Sequence, residues 1–388
     1  EQGPASRSVL VTPVQEYFFA QPMSERGHWN QSLLLAPREP LQAEWLQTAL
    51  TRLCNHHDAL RLRFVEGAQG WQQHYAGEVS ECALWQRQAD SEAALLALCD
   101  EAQRSLNLTD GPLLRAMLVT LADGAQRLLL VIHHLAVDGV SWRLLLEDLQ
   151  QAYTQLQSGG AIVLPSKTSA YQAWAERLQQ HAPMLNEEMA YWQQQTSEQQ
   201  LPRDRADGRL DNRFGEKIEW RLDRELTRQL LQSAPAAYRT QVNDLLLTAL
   251  ARVLCQWSAQ PAALIQLEGH GREDLFDDID LTRTVGWFTS LFPVRLQPAA
   301  TLADSIKTVK EQLRAVPGKG LGYGVLRHLG EPAQREQLAA LTPPRITFNY
   351  LGQFDRQFDQ TSLFVPSTEG SGQAQDPSTP LANWLTLE

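Results

Sequence analysis

The chain has 388 residues, and this length exceeds what one hydrophobic core usually holds, so we expect two domains or one fold built of two lobes. With 43% hydrophobic and 20% charged residues, its composition is that of an ordinary globular protein and excludes disordered and fibrous classes. The 34 lysines and arginines are outnumbered by 45 aspartates and glutamates, and the formal net charge of -11 argues against nucleic acid or an anionic membrane as a partner.

The first half of the chain alternates between helical and strand patterns. Its apolar residues recur at helical spacing in some segments and alternate with polar residues in others. The predicted elements are a helix over 41–57, a strand over 60–64, a helix over 93–106, strands over 116–120 and 128–132, and a helix over 142–156. Asp123-Gly124 between the last two strands is a strong hairpin signal. The second strand of this hairpin is apolar throughout, so both of its faces are expected to be covered.

The second half repeats this mixture after a polar connection. Its predicted elements are a strand over 218–220, helices over 224–234 and 242–257, strands over 263–267 and 292–296, a helix over 302–313 and a strand over 345–350. Both halves mix strands with crossover helices, which predicts two α/β sandwiches. We predict an N-terminal lobe over 1–195, a connection over 196–215 and a C-terminal lobe over 216–388.

Polar residues directly follow the buried strand of the first half, in the segment His133-His134-Leu135-Ala136-Val137-Asp138-Gly139. The end of a strand can present side chains into a cleft, and the ordinary pKa of imidazole suits proton transfer near neutrality. Two adjacent histidines on an extended segment point to opposite sides, so only one of them faces the cleft. Alternatively, both are hydrogen-bonded core histidines beside a turn. The strand-to-turn context and the acidic residue favour the functional interpretation.

A second polar segment, Glu268-Gly269-His270-Gly271-Arg272, follows an apolar strand in the second half. Its two glycines allow a close approach of the backbone and flank a carboxylate, an imidazole and a guanidinium. The alternative is a surface loop with solvated charges.

With these segments, the chain resembles the condensation-type domains of nonribosomal peptide synthetases, whose signature is His-His-x-x-x-Asp-Gly after a strand. Five segments are more similar to the epimerisation subgroup than to the peptide-bond-forming one. They are His28-Trp29-Asn30-Gln31, Asp138-Gly139-Val140-Ser141-Trp142, Leu267-Glu268-Gly269-His270-Gly271-Arg272-Glu273, Thr284-Val285-Gly286-Trp287-Phe288-Thr289 and Phe348-Asn349-Tyr350-Leu351-Gly352-Gln353. The resemblance covers essentially the whole chain. It implies an α/β fold of two chloramphenicol acetyltransferase-like sandwich lobes, arranged as a V-shaped pseudo-dimer.

The resemblance also implies the site residues. His134 and Glu268 are the expected catalytic pair, and His133 and Gly139 complete the histidine motif. Peptide-bond-forming relatives need no carboxylate at the position of Glu268, so this residue is the main discriminator.

Four further positions have expected supporting roles. Arg61 matches a family position that pairs with Asp138, and a buried carboxylate needs such a partner. Asp138 is therefore expected to hold the loop that aims His134. Asn349 and Tyr350 match polar positions near the reacting thioester, although they are equally consistent with a simple turn at a strand end.

The activity implied by the resemblance is isomerisation: inversion, from L to D, of the α-carbon of an aminoacyl or peptidyl thioester in nonribosomal peptide biosynthesis. We expect Glu268 to remove the proton from the L centre and His134 to return one to the opposite face. Tyr350, Asn349 or backbone N–H groups near His134 are candidates to hold the enolate oxygen. The alternatives are a peptide-bond-forming condensation domain, a non-catalytic recruitment module and a coenzyme A-dependent acyltransferase.

The expected partner is a peptidyl carrier protein that carries the substrate on its phosphopantetheine arm, and the chain is expected to have no cofactor of its own. The sequence contains no nucleotide-binding glycine motif and no His-Glu-x-x-His motif. The four cysteines have no paired spacing, which argues against a metal or a disulfide framework and predicts a cytoplasmic location. No apolar run approaches the roughly 20 residues of a membrane span. Because the chain begins at Glu1 without Met, it is expected to be a piece of a longer polypeptide.

Overall fold

The computed structural model describes residues 8–197, 201–352 and 358–388. Gln353 of the last motif and residues 198–200 of the predicted connection lie outside these ranges. The strands are β1 Ser8–Val9, β2 Asn30–Pro37, β3 Leu62–Gly67, β4 Gly70–Tyr75, β5 Leu84–Ala89, β6 Leu114–Leu121, β7 Gln126–His133, β8 Ala263–Gly269, β9 Ser290–Leu296, β10 Ile346–Phe348, β11 Phe364–Pro366 and β12 Leu385–Leu387.

The helices connect these strands in both halves of the chain. They are α1 Pro13–Phe19, α2 Ala43–His56, α3 Glu92–Gln103, α4 Gly139–Gln157, α5 Tyr171–His181, α6 Met189–Gln193, α7 Arg224–Arg228, α8 Ala234–Tyr238, α9 Val242–Ser258, α10 Leu302–Arg314, α11 Leu321–Leu329 and α12 Pro332–Ala339. A π-helical turn, Gln229–Ser233, joins α7 to α8. The α/β class predicted from the sequence is confirmed. In the part of the chain that the structure describes, no helix is long and apolar enough to cross a membrane.

The chain divides into two compact units. The first takes in Glu1–Leu178, Arg272–Thr289 and Gln353–Thr379, to the extent that these residues are described. The second takes in Gln179–Gly271, Ser290–Gly352 and Pro380–Glu388, to the same extent. This division differs from the predicted lobes, because two segments of the second half return to the first unit. Periodicity indicates where elements begin and end but not which core they join.

The first unit is organised around β7. Within its described residues, the larger sheet has the strand order β11-β2-β7-β6-β5, in which β7 is antiparallel to both of its neighbours and β5 is parallel to β6. Leu129 and Val131 of β7 pack in one cluster with Leu95 and Cys99 of α3. Every residue from 128 to 133 is buried, so the predicted hairpin and its doubly covered strand are confirmed.

The second unit is built on a mixed sheet. Its described strands have the order β12-β10-β8-β9, with β8 antiparallel to β9 and parallel to β10. Because β8 and β10 are parallel, their carboxyl ends lie at the same edge of this sheet. Glu268 of β8 lies at that edge, and Asn349 is the first residue after the end of β10.

Two predicted strands differ from the observed elements. The strand expected over 60–64 begins as a 3-10 turn, Asp58–Arg61, and becomes β3 only at Leu62. The strand expected over 218–220 is absent from the described structure, where Ile218 and Trp220 are 92% and 82% exposed. Alternation of polar and apolar residues favours an extended backbone but does not supply a neighbouring strand.

Candidate active site

The histidine motif of the first unit lies between a buried strand and a capped helix. β7 ends at His133, which pairs with Asn30 of β2, and a short 3-10 turn over His134–Ala136 follows. Helix α4 then begins at Gly139, and the side chain of Asp138 caps it by accepting a hydrogen bond from the N–H of Ser141 at 2.8 Å. The sheet and the cap therefore fix the histidine turn at both of its ends.

His133 is a structural residue of this turn. Its Nε2–H donates to the carbonyl of Arg26 at 2.7 Å, and its Nδ1 accepts from the N–H of Leu135 at 3.1 Å. Complete burial lowers the pKa of His133 to about 3. Both ring nitrogens are thus satisfied in the neutral form, and this ring is not available to a substrate.

His134 has one ring nitrogen committed to the protein. Its Nδ1 lies 2.9 Å from the carbonyl oxygen of Val137. A carbonyl can only accept a hydrogen bond, so Nδ1 carries the proton and Nε2 of the neutral ring keeps its lone pair. Burial lowers the pKa of His134, while the hydrogen bond to Val137 and the charge of Asp138 oppose this change. The neutral ring is therefore a base whose reactive nitrogen is Nε2.

Two indole rings, which also contact each other at 5.3 Å between centroids, pack against the His134 imidazole. The Trp29 ring is stacked on it with a centroid distance of 4.8 Å and an interplanar angle of 20°. The Trp287 ring lies 4.2 Å from it at 31°. Trp287 is only 3% exposed, and its carbonyl accepts a hydrogen bond from the Tyr171 hydroxyl at 2.8 Å. The orientation of the His134 ring is thereby fixed by packing as well as by its hydrogen bond to Val137.

Asp138 binds three groups through its carboxylate. Besides the cap to Ser141, Oδ1 accepts from Nη2 of Arg272 at 2.9 Å, and Oδ2 accepts from the N–H of Phe288 at 3.1 Å. The Arg272 guanidinium lies 4.2 Å from the centre of the Phe288 ring. Asp138 therefore fixes the position of the His134 turn relative to residues 272–288 of the same unit, and its contacts are those of a structural group.

The predicted partner of Asp138 was wrong. Among the described residues, the guanidinium bound to Asp138 is that of Arg272, whereas Arg61 binds Asp58 at 2.7 Å and the carbonyl of Cys54 at 2.8 Å. The 3-10 turn over Asp58–Arg61 places the Asp58 carboxylate three residues before Arg61. The buried Arg61 guanidinium, which is only 1% exposed, therefore pairs with Asp58 within the same turn. Arg61 stabilises its own turn and does not contact the Asp138 carboxylate.

The loop that carries Trp287 is joined to α4 by Ser141. The Ser141 hydroxyl donates to the carbonyl of Gly286 at 2.9 Å and accepts from the N–H of Gly286 at 3.0 Å. A Cβ atom at Gly286 would lie 2.7 Å from the Tyr171 ring, so only glycine fits at this position. This close packing holds Trp287 against the histidine turn.

Glu268 is the titratable group at the sheet edge of the second unit. It lies next to the end of β8, opposite Leu291 of β9. Its side chain remains accessible to solvent, yet the surrounding protein desolvates the carboxylate. This desolvation, together with the negative charge of Glu388, raises the pKa of Glu268 to about 7. Both the acid and the base form are therefore well populated near neutral pH.

Asn349 and Tyr350 follow β10 at the same edge. Phe348 of β10 pairs with Leu267 of β8, so Asn349 comes next to Glu268 along these parallel strands. The N–H of Asn349 donates to the carbonyl of Leu387 at 2.9 Å, which fixes its backbone, and Tyr350 is 40% exposed. The second unit thus places Glu268 and Asn349 at one edge of its sheet, and the first unit places His133, His134 and Asp138 in one turn.

One buried cluster in the first unit has the residue types of a metal site. His56, His57 and Asp148 place one potential ligand atom each within 4.8 Å of one another. However, His57 donates to Asp148 at 2.7 Å, Arg283 donates to the other oxygen of Asp148 at 2.6 Å, and His56 binds the carbonyl of Pro165. A guanidinium on the shared carboxylate opposes a cation, so we assign this cluster to packing of the fold.

Sequence reasoning did not place Arg272, Trp29 or Trp287 at the histidine turn. Arg272 was part of the polar Glu-Gly-His-Gly-Arg segment and the two tryptophans lay in segments that carry the family resemblance, but no contact with His134 or Asp138 was predicted for any of the three. Tryptophans at these positions are compatible with an ordinary core, and their packing on His134 requires contacts between residues far apart in the chain.

Comparisons with known proteins agree with one another. A sequence model of the Condensation domain matches residues 5–378. The chain is 44% identical over 390 residues to one of the linear gramicidin synthase proteins of Brevibacillus parabrevis, covering 96% of this chain and 5% of that protein. It is 41% identical over 400 residues to surfactin synthase subunit 1 of Bacillus subtilis (strain 168), covering 100% of this chain and 11% of that protein. The chain therefore spans only a small part of these relatives.

Two solved structures have the same fold. The epimerization domain from the third module of tyrocidine synthetase B has a TM-score of 0.91 and 37% identity, covering 100% of this chain and 90% of that one. The X-domain from teicoplanin biosynthesis has a TM-score of 0.72 and 24% identity, covering 88% of this chain and 77% of that one. The second likeness bears on the fold alone.

Proposed function

Because the chain belongs to the condensation-domain family of nonribosomal peptide synthetases, we propose that it inverts the α-carbon of an aminoacyl or peptidyl thioester, from L to D. The substrate is carried on the phosphopantetheine arm of a peptidyl carrier protein, and the chain needs no cofactor of its own. Proton transfer by Glu268 and His134 performs the inversion, and the likeness to a solved epimerization domain supports this choice within the family.

The observation that carries the proposal is the Glu268 carboxylate next to the end of β8, where desolvation by the protein and the Glu388 charge raise its pKa to about 7. A group that inverts a centre in both directions must act as a base in one direction and as an acid in the other. A carboxyl group with an ordinary pKa is ionised near neutral pH and can act there only as a base. A carboxyl group that titrates near pH 7 can act both as an acid and as a base. Peptide-bond formation gives no reason to hold a solvent-accessible carboxylate in this state.

His134 supplies the second proton-transfer group. Its Nε2 carries the lone pair while Nδ1–H stays bound to Val137, so a proton can arrive at and leave one defined atom. The Trp29 ring stacked on the imidazole and the tilted Trp287 ring packed against it limit its rotation. A positioned base of this kind typically contributes about 100- to 10,000-fold in rate.

The inversion needs one transferable proton, which is held by either Glu268 or His134. With that proton on His134, Glu268 removes the Cα proton of the L centre, and the electron pair of the C–H bond passes into the thioester to give an enolate. His134 then donates its proton to the opposite face of Cα, which gives the D centre. With the proton on Glu268, the same steps run from D to L. Asn349, next to Glu268 along the sheet edge, is a candidate hydrogen-bond donor to the enolate oxygen.

The proposal is tested with a carrier protein loaded with an L-aminoacyl or L-peptidyl thioester in deuterated water. We expect the wild-type chain to produce a mixture of L and D thioesters in which the D product has one deuterium at Cα. A second reaction, supplied with an acceptor aminoacyl carrier, reports peptide-bond formation. Dipeptide formation without inversion, or a folded chain that neither inverts nor exchanges any offered thioester, contradicts the proposal.

A further inference from the structure

A glutamine of the first unit lies against the reactive nitrogen of His134. Nε2 of Gln31 is 3.4 Å from Nε2 of His134, and Oε1 of Gln31 is 2.9 Å from Nε1 of Trp142. Indole N–H can only donate a hydrogen bond, so the atom facing Trp142 is the amide oxygen. The NH2 group of Gln31 therefore faces His134.

The direction of the second hydrogen bond follows from the tautomer of His134. Because Nδ1–H is donated to Val137, Nε2 of the neutral ring has a lone pair and no proton. Gln31 thus donates an N–H to this lone pair. The contact of 3.4 Å is longer than the mode of about 3.0 Å for N–H···O hydrogen bonds, so it is weak enough to be displaced.

Three elements hold the Gln31 amide in place. Gln31 lies on β2, where it pairs with Ile132 of β7, one strand position before the histidines. Trp142 lies in the first turns of α4 and is buried. The path from Trp142 through Gln31 to His134 therefore joins β2, α4 and the histidine turn of one unit.

We propose that Gln31 is a positioning residue that holds the neutral form of His134 by donating to its Nε2, and that it yields this nitrogen when a proton is transferred. An imidazolium at this place has an N–H that faces the N–H of Gln31, and two donors repel each other. Gln31 thus opposes protonation of His134 by water and keeps the ring in its base form. This inference rests on the proposed function, in which His134 transfers the proton.

Other charged groups around His134 act on the same equilibrium. Asp138 favours the protonated ring, His133 opposes it when charged, and Arg272 neutralises part of the Asp138 charge through their ion pair. Trp29 and Trp287, which cover the ring, carry no charge. A change confined to Gln31 leaves all of these groups in place.

The test replaces the donor by an acceptor. In Gln31→Glu, one carboxylate oxygen can still accept from Trp142, while the other accepts from the protonated His134 ring. An opposite charge at this distance raises a histidine pKa by about 1–3 units. We expect this increase in an NMR titration of the imidazole resonances of the full chain, with the His134 signal identified by its loss in His134→Gln. The matched control is Gln72→Glu, the same charge change at an exposed position of β4, which should leave the His134 pKa unchanged.

The outcomes separate a positioning role from a merely structural one. A His134 pKa in Gln31→Glu that equals the wild-type value overturns the proposal. If that variant does not fold, Gln31→Met decides: it has a similar length and no donor, so the 15N resonance of the His134 Nε2 should move toward that of an unbonded lone pair, and an unchanged resonance overturns the proposal. Neither measurement needs a substrate, so failure of the epimerase assignment would be seen separately, in the inversion assay.

Discussion

Arg272 and Asp138 form an ion pair, with 2.9 Å between Nη2 and Oδ1, that joins the end of the Glu-Gly-His-Gly-Arg segment to the turn carrying His134. Both side chains are 7% exposed, and the pair lies within the first unit. Two motifs separated by more than a hundred residues in the sequence therefore meet at one carboxylate. Asp138 acts by holding the position of the His134 turn.

The first prediction concerns this carboxylate. Asp138→Ala leaves the Arg272 guanidinium buried without its partner and removes the cap of α4, so we expect the free energy of unfolding to fall by about 3–5 kcal/mol. Urea unfolding of both proteins measures this loss. The control is Arg143→Ala, which breaks an exposed pair with Glu147 and should change stability by less than about 0.5 kcal/mol. Equal stability of Asp138→Ala and wild type would refute the structural role.

The second prediction is a bell-shaped pH dependence of inversion. Burial lowers the pKa of His134 below its ordinary value of 6.5, whereas desolvation by the surrounding protein and the Glu388 charge raise the pKa of Glu268 to about 7. The pair holds one proton between these two values. Above about pH 7 that proton is lost and no acid remains, while below the His134 pKa both groups are protonated and no base remains.

The rate constant kcat/KM, followed from about pH 5 to 9, measures this profile. We expect it to fall about tenfold per pH unit on the alkaline side of pH 7 and again on the acid side of the His134 pKa. A rate that keeps increasing up to about pH 9 would mean that Glu268 acts only as a base, and the reversible scheme would then be wrong.

The third prediction concerns stability and His133. Its folded-state pKa is lowered to about 3, so the unfolded chain binds one more proton than the folded chain between about pH 6.5 and 3. The contribution of neutral His133 to the free energy of unfolding is therefore fully present above pH 6.5. As the pH falls below this value, the contribution decreases by about 1.4 kcal/mol per pH unit. His133→Gln cannot titrate, and its amide can still donate to the Arg26 carbonyl.

Urea unfolding at about pH 7, 6 and 5 compares these two proteins. Below pH 6, we expect the free energy of unfolding of the wild type to fall more steeply with decreasing pH than that of His133→Gln. The difference between the two slopes should be about 1.4 kcal/mol per pH unit. Parallel curves would show that His133 is not held neutral in the fold.

Local structure was predictable from the sequence where one segment decides it. The β6–β7 hairpin, the buried strand β7 and helix α4 were predicted because a turn signal, an unbroken apolar run and a helical stripe each lie within a few neighbouring residues. The position of Glu268 at a strand end was predicted in the same way.

Contacts between distant segments were not predictable from these patterns. Arg61 and Arg272 are both buried arginines, and only the folded chain shows that Arg272 is the one that binds Asp138. The exposed segment around Trp220 has a strand pattern, but pairing depends on a neighbour that the pattern does not specify. The contacts of Gln31 likewise depend on the register of β2 against β7.

The most direct test of the central claim is solvent exchange at Cα in the two single variants, each given L and D thioesters separately in deuterated water. If Glu268 and His134 serve opposite faces, Glu268→Gln should exchange the Cα hydrogen of the D thioester alone, and His134→Gln should exchange that of the L thioester alone. Neither variant should invert the centre. Exchange of the same enantiomer by both variants, or inversion by Glu268→Gln at the wild-type rate, would contradict the assignment of these two residues.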